Sequence, residues 1–131
     1  MLRKAASILF LLTAVVIGLG AFGHDSNTAK LTEEFAKFPA FDTRAKAIIV
    51  AVWHFCSGCM FAFGAILVWT WQRIRNGARD VFFAPLVIGA LYVASGALSV
   101  GYTGVAFFWL FVVLGGLLIA TSLILRSPRM P

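Results

Sequence analysis

Residues 81–125 form a run of 45 positions without a single charged side chain. A helix that crosses the hydrocarbon core of a bilayer needs about 20 predominantly apolar residues, so this run is long enough for two such helices. Near its middle lies a turn signal, Gly101-Tyr102-Thr103-Gly104, at which the chain can reverse its direction. The pattern therefore predicts two membrane-spanning helices joined by a tight turn.

The composition of the whole chain points to the same class of protein. Apolar residues make up 61% of the 131 positions and charged residues 12%, whereas a soluble domain usually carries about 25% charged residues. Two further apolar runs precede the uncharged one. We predict an all-α fold, a polytopic four-transmembrane-helix bundle that forms one integral membrane domain over residues 1–131. Its predicted spans are residues 5–22, 45–71, 81–100 and 105–125.

The basic residues indicate an orientation. Seven of them lie at the N-terminus, between spans two and three, and at the C-terminus: Arg3, Lys4, Arg73, Arg75, Arg79, Arg126 and Arg129. The first loop has four basic residues offset by acidic ones, and the last turn has none. Since Lys and Arg accumulate on the cytoplasmic side, we expect both termini to be cytoplasmic, in the cell inner (plasma) membrane. The basic residues behind the net charge of +6 then orient the protein and contact anionic lipid. The charge therefore does not indicate a nucleic-acid partner, and we expect none.

Span one has two readings. The segment Met1-Leu2-Arg3-Lys4 followed by an apolar run resembles a signal peptide, with Gly18-Leu19-Gly20-Ala21 as a candidate cleavage site. The apolar run has 18 residues, which is longer than the roughly 7–15 of a signal core and favours retention as a helix. Cleavage would leave three spans and place the mature N-terminus outside.

The outer loop, residues 23–44, contains a short amphipathic pattern. Leu31, Phe35 and Phe38 recur at i, i+4 and i+7, so they share one face of a helix, and Pro39 should end it. We predict a short amphipathic outer-surface helix between spans one and two. It is either a solvated linker with one apolar side or a lid or docking surface.

Small residues within the spans predict close helix packing, because helices in lipid associate where side chains let the backbones approach. The candidates are Ala47, Ala51, Ser57, Gly58, Ala62 and Ala65 in span two, Gly89, Ala90, Ala94, Ser95, Gly96 and Ala97 in span three, and Gly115 and Gly116 in span four. The same faces could serve a homo-oligomer or a larger membrane complex as well as the bundle itself.

Span two contains the polar residues that are best suited to bind a ligand or take part in a reaction. On a regular helix His54 lies on the small-residue face with Ser57, so we expect both inside the bundle, where they are candidate ligand-binding residues. The alternative for His54 is a structural imidazole that bonds a neighbouring span, with Ser95, Ser99 and Tyr102 at a suitable depth. His24, at the outer end of span one, is expected to be merely interfacial.

The two cysteines form a second candidate site. Cys56 and Cys59 lie about 60° apart on the bulky apolar side of the helix, and His54 points away from them. The Cys-x-x-Cys spacing is typical of redox and metal sites, and Met60 could add a soft ligand for copper(I). A zinc site needs about four ligands, and the chain has no other cysteine. Alternatively both cysteines are small apolar residues that face lipid or a partner.

No further motif indicates a reaction. The spans hold no Asp or Glu, and the chain has no Gly-rich phosphate loop, HExxH sequence or nucleophile elbow. We therefore predict no catalytic residues, no resident metal and no cofactor. The expected role is that of a non-catalytic accessory or scaffolding subunit, or a lipid-binding protein. The alternative is a membrane redox or cofactor-binding protein for quinone and thiol, haem or copper, built on His54 or on Cys56 and Cys59.

Two resemblances bear on this reading. Leu19-Gly20-Ala21-Phe22-Gly23-His24, His54 and the pair Gly115-Gly116 resemble positions of the DUF423 family of small four-span membrane proteins, which includes the transmembrane protein 256 group. That family has no established activity, so the resemblance implies architecture alone. The position of Cys56 and Cys59 is similar to that in the four-span disulfide-generating quinone reductases. This chain lacks their second cysteine pair and the arginine after the first, which argues against that enzyme.

Overall fold

The computed structural model describes residues 1–38 and 42–127, and that part of the chain is helical with no strand. The elements are α1 (Leu2–Ser26), α2 (Thr28–Ala36), α3 (Thr43–Arg75), α4 (Phe83–Thr103), a 3-10 turn (Ala106–Phe108) and α5 (Trp109–Arg126). Four stretches, which contain α1, α3, α4 and α5, are long and apolar enough to cross a membrane. The predicted all-α fold with four membrane-spanning helices is thereby confirmed.

The helices extend further than the apolar runs that predicted them. Helix α1 continues to Ser26, so His24 belongs to a helix and not to the outer loop. Helix α4 continues to Thr103, through most of the predicted turn. The reversal falls on Gly104, whose φ of +66° lies in the left-handed region that glycine enters without steric cost. Hydropathy predicts only the apolar part of each helix, whereas the backbone hydrogen bonds of the helix continue past the ends of the apolar run.

The outer loop contains a helix where the amphipathic pattern predicts one. Helix α2 packs against the start of α3 and the end of α1, and its apolar residues Leu31 and Phe35 are half-buried. Phe38 lies beyond the helix end and is exposed. Pro39, the predicted helix terminator, lies outside the described residues. That α2 rests on the membrane surface stays a prediction.

Helix α1 is the centre of the bundle. It packs against α3 and α5, while α4 packs mainly against α5 and touches α3 at few points. Residues spaced three and four apart form its buried stripe, namely Ala6, Phe10, Thr13, Ala14, Ile17 and Ala21. This stripe joins the buried Leu67 and Leu118 in one core. The resulting order of neighbours, α3, α1, α5, α4, leaves a cleft between α3 and α4.

Glycines set the two closest helix crossings. A Cβ added to Gly64 of α3 would lie 2.4 Å from the Cα of Gly18 in α1. A Cβ added to Gly115 of α5 would lie 2.5 Å from the carbonyl oxygen of Gly89 in α4. Such distances are far below contact range, so the backbones meet directly, as small residues allow in membranes. The prediction that Gly89 and Gly115 pack closely is confirmed.

The predicted packing face of span two is wrong. Most of its small residues are exposed, namely Ala47, Ala51, Gly58, Ala62 and Ala65; Ser57 alone is buried. Helix α3 turns Ser57, Gly64 and Leu67 inward instead. The physical reason is the close contact between Gly64 and Gly18, which fixes the rotation of α3 about its own axis.

Two arginines close one end of the bundle. The Arg3 guanidinium donates from Nη2 to the carbonyl oxygen of Leu125 at 2.8 Å, and Arg79 Nη1 lies 3.4 Å from the same oxygen. The last carbonyls of a helix lack intrahelical partners and carry partial negative charge, so cations there are stabilising. The start of α1, the loop before α4 and the end of α5 therefore meet at one basic end.

Candidate functional site

A cavity in two adjoining lobes lies among the four long helices. The first, the α1–α5 lobe, has a volume of about 400 Å³ and is lined from α1 and α5 by residues such as Ile17, Leu110 and Leu114. The second, the α3–α4 lobe, has a volume of about 340 Å³ and occupies the cleft between those helices. Four residues line both lobes: His24, Met60, Tyr92 and Phe111. Because the lobes share these walls, we treat them as one site.

His24 is a polar group at the end of the site where α1 meets α2. Its ring stacks on that of Trp53, with centroids 3.8 Å apart and planes inclined by 20°. Its Nδ1 lies 2.9 Å from the hydroxyl oxygen of Ser57, and its backbone carbonyl accepts a hydrogen bond from Trp53 Nε1 at 3.0 Å. The side chain is thus held by two residues of α3 and stands in the wall of the cavity.

Ser57 links the His24 ring to the backbone of α3. Its hydroxyl oxygen lies 2.9 Å from His24 Nδ1 and 3.3 Å from the carbonyl oxygen of Trp53. Ser57 has one hydroxyl proton, so it donates either to Trp53 or to Nδ1, and the tautomer of the His24 ring decides which. Among the described residues Nε2 has no hydrogen-bond partner.

Tyr92 is the second polar residue shared by the lobes. Its side chain is 5% exposed, and its ring stacks on Phe111 with centroids 5.6 Å apart. Its hydroxyl is buried and, within residues 1–38 and 42–127, has no hydrogen-bond partner. A buried unpaired hydroxyl costs about 1–3 kcal/mol, so such a group in a native protein calls for an explanation.

The structure corrects the prediction for His54. Its side chain is 51% exposed, and its Nδ1 lies 2.6 Å from a carboxylate oxygen of Asp25 at the end of α1. The prediction that His54 faces the interior is wrong because α3 is rotated to bring Ser57 inward, which leaves His54 on the exposed side of the helix. None of Ser95, Ser99 and Tyr102 is its hydrogen-bond partner. Ser57 is buried as expected, but it bonds His24 and not His54.

The two cysteines occupy different environments. Cys56 is exposed and Cys59 half-buried; both are free thiols and line the α3–α4 lobe. Met60 is half-buried between the lobes. In the part of the chain that the structure describes, no group of three His, Cys, Asp or Glu side chains could hold a metal ion. Both thiols therefore lie in the wall of the lobe that His24 and Tyr92 also line.

Sequence reasoning missed His24 and Tyr92 as site residues. A signal for His24 exists, because Ala14, Ile17 and Ala21 form a helical stripe and His24 continues it three residues later. The predicted first span ends at residue 22, where the apolar run stops, so it does not include His24. No comparable signal exists for Tyr92, since one tyrosine in an apolar helix can face a partner helix, a cavity or lipid equally well.

Comparisons with protein-family models, with curated proteins and with solved structures find no match to this chain. The resemblance to the DUF423 family therefore stays a prediction.

Proposed function

We propose that this chain is a small multi-pass membrane protein that binds an apolar, membrane-derived ligand without catalysing a reaction, either alone or as an accessory subunit. The two-lobed cavity carries this proposal. The α1–α5 lobe alone, at about 400 Å³, lies within the range of about 300–1,000 Å³ that small-molecule sites occupy. Its walls are aliphatic and aromatic, and few polar groups face it, as in sites that hold lipids or other apolar molecules.

The rim of the cavity supports entry from the bilayer. Val16 and Leu110, at the edge of the α1–α5 lobe, are 48% and 45% exposed, and Leu91 at the edge of the α3–α4 lobe is 47% exposed. All three belong to helices long and apolar enough to cross a membrane, so hydrocarbon would surround them there. A lipid can then move sideways into the cavity without passing through water.

The proposed orientation places both termini in the cytoplasm of a cell whose inner (plasma) membrane holds the protein. It is supported by the basic end of the bundle, where Arg3 and Arg79 meet the end of α5. Reporter fusions at each terminus test it: a fluorescent protein should fold at both ends, and a periplasm-dependent alkaline phosphatase should be inactive at both. Phosphatase activity at either end would contradict this orientation.

The Gly20→Leu variant tests the proposed site. Gly20 lines the α1–α5 lobe, and the nearest atom to an added Cβ is the flexible end of Met60, so leucine should fill the cavity with little strain on the helices. We expect the purified wild type to retain lipid in mild detergent and the variant to lose most of it, as measured by native mass spectrometry and extraction. Gly116→Leu is the matched control, because Gly116 is exposed and no atom lies within 4 Å of its added Cβ.

Equal lipid retention by wild type and Gly20→Leu would contradict this site. The same preparation separates the alternative, a redox or cofactor-binding protein, which is favoured by the position of Cys56 and Cys59 beside His24 in the α3–α4 lobe. A visible absorption spectrum of haem or copper, or a quinone in the extract, would support that alternative. The mass spectrum also reports whether a second copy or another subunit accompanies the chain.

A further inference from the structure

A second lipid site lies outside the two-lobed cavity, in an open groove between α2 and α3. We propose that this groove binds one anionic phospholipid, with the phosphate on Lys46 and the upper part of an acyl chain on the apolar floor. The groove has a volume of about 650 Å³, within the range of about 300–1,000 Å³ that small-molecule sites occupy. None of its lining residues lines either lobe of the cavity, so the proposal goes beyond the proposed function and is independent of it.

The length of α3 places the groove at the level of the lipid head groups. The 33 residues of α3 extend over about 50 Å, whereas the hydrocarbon core is about 30 Å thick. One edge of the core is marked by Trp71, whose ring lies 4.9 Å from the guanidinium carbon of Arg75. About 20 residues back along the helix, near Val52, the core ends. The groove is formed by α3 residues between positions 43 and 54, so most of it lies beyond that edge.

The groove combines an apolar floor with one cation, as a phospholipid requires. The floor is formed by Phe35, Ala36, Ala47, Val50 and Ala51. Lys46 is half-buried at its side, and the lysine ammonium forms no hydrogen bond or ion pair with residues 1–38 and 42–127. A lysine in such a place can lay its apolar stem on the floor and hold its charge at the level of a phosphate. A phosphate would therefore give Lys46 the partner that the described chain does not supply.

The acidic side chains near the groove are engaged elsewhere. Asp25 pairs with His54, whose Nδ1 lies 2.6 Å from the carboxylate oxygen. Asp42 caps the start of α3 by accepting a backbone N–H at 2.7 Å, and Glu34 pairs with Lys37 on α2. No carboxylate is among the described residues that line the groove. A phosphate in the groove therefore meets the charge of Lys46 without a lining carboxylate to repel it.

The groove selects for charge locally and not through the net charge of this end of the protein. Residues 23–46 contain four basic and four acidic side chains, so together they attract an anionic surface only weakly. A phosphatidylglycerol head brings a phosphate alone, which Lys46 can bind. A phosphatidylcholine head adds a quaternary ammonium, for which the described lining offers no carboxylate. We therefore expect the anionic lipid to bind more tightly.

Lys46→Gln and Arg44→Gln form a matched pair that tests the cation. Both remove one positive charge near the start of α3, but Arg44 is exposed and does not line the groove. The full chain in mild detergent is titrated with dioleoylphosphatidylglycerol or dioleoylphosphatidylcholine, and native mass spectrometry counts the bound lipids. Lys46→Gln should weaken phosphatidylglycerol about tenfold, equivalent to about 1.4 kcal/mol, and leave phosphatidylcholine unchanged. Arg44→Gln should change either affinity by less than about twofold, because its charge is screened by solvent.

Ala51→Leu tests the floor without changing the charge. The larger side chain should fill the groove and weaken both lipids, whereas Ala62→Leu, at an exposed position of α3 that does not line the groove, should weaken neither. Both alanines are exposed on the same helix, so the melting temperatures without added lipid should stay at the wild-type value. A lower melting temperature for Ala51→Leu is met by the Lys46→Gln comparison, which leaves the floor intact.

The titrations are repeated in the Gly20→Leu protein, whose cavity is filled, so that the lipids counted are those of the groove. Equal losses for Lys46→Gln and Arg44→Gln would overturn the proposal, because the lysine would then act only as surface charge. Equal affinities of the wild type for the two phospholipids would overturn it as well. If Gly20→Leu removes all bound lipid and Lys46→Gln removes none, this proposal fails and the proposed function stands. If Lys46→Gln weakens phosphatidylglycerol while Gly20→Leu changes no lipid retention, the groove stands and the proposed function fails.

Discussion

The Gly64→Ala variant is expected to lose about 3 kcal/mol of its free energy of unfolding, at the upper end of the range for overpacking in a core. The added Cβ would lie 2.4 Å from the Cα of Gly18, 2.7 Å from its backbone nitrogen and 3.2 Å from the carbonyl oxygen of Ala14. All three atoms belong to the backbone of α1, so no side chain can rotate out of the way. Helices α1 and α3 must separate, which also loosens the packing around the buried Leu67.

The control for this variant is Gly58→Ala in the same helix. No atom lies within 4 Å of a Cβ added at Gly58, and alanine is the better helix former by about 0.5–1 kcal/mol. We expect Gly58→Ala to be neutral or slightly stabilising. Thermal unfolding in detergent, monitored by circular dichroism, measures both. Equal melting temperatures for the two variants would mean that α1 and α3 do not cross at Gly18 and Gly64.

The Phe10→Ala variant is expected to destabilise the protein by about 3–5 kcal/mol, the usual cost of removing a buried phenylalanine ring. Phe10 is 0% exposed and belongs to the core formed where α1 meets its neighbours. Phe83→Ala is the matched control, because Phe83 is 80% exposed and its ring would face lipid. The comparison is made by the same unfolding experiment.

The Phe10 variant also decides between the two readings of span one. A cleaved signal peptide would take Phe10 with it, and the mature protein could not respond to Phe10→Ala. Because α1 supplies the central buried stripe, including the fully buried Phe10 and Ile17, we expect the mature protein to retain it. An intact mass that lacks the first span, with unchanged stability of the variant, would establish cleavage instead.

The class of fold follows from the sequence because moving a long apolar, uncharged run from water into hydrocarbon is favourable, and the contributions of its residues add up along the chain. The rotation of each helix does not follow in the same way. Helix α3 is apolar around much of its circumference, so hydropathy gives no preferred inner face. A single close contact, between Gly64 and Gly18, then decides that Ser57 points inward and His54 outward. For this reason Ser57 contacts His24 and not His54.

Adjacent glycines show the same limit at the scale of one residue. Gly115 and Gly116 are alike in sequence, yet one meets the backbone of α4 and the other faces open space. One position along a helix is a rotation of about 100°, which is enough to separate a packing surface from lipid. The two-lobed cavity depends on such rotations in four helices at once, so the sequence does not predict that His24 and Tyr92 line it together.

The meeting of α1 with α5 has a consequence for biogenesis. Arg3 and Leu125 are joined by a hydrogen bond although they are 122 residues apart. At synthesis rates of about 5–20 residues per second, the first helix enters the membrane on the order of ten seconds before its last partner exists. During that interval the part of the α1 stripe that packs against α5 lacks its partner. The contact between Arg3 and Leu125 therefore forms only once α5 has been made, and it marks the assembled four-helix bundle.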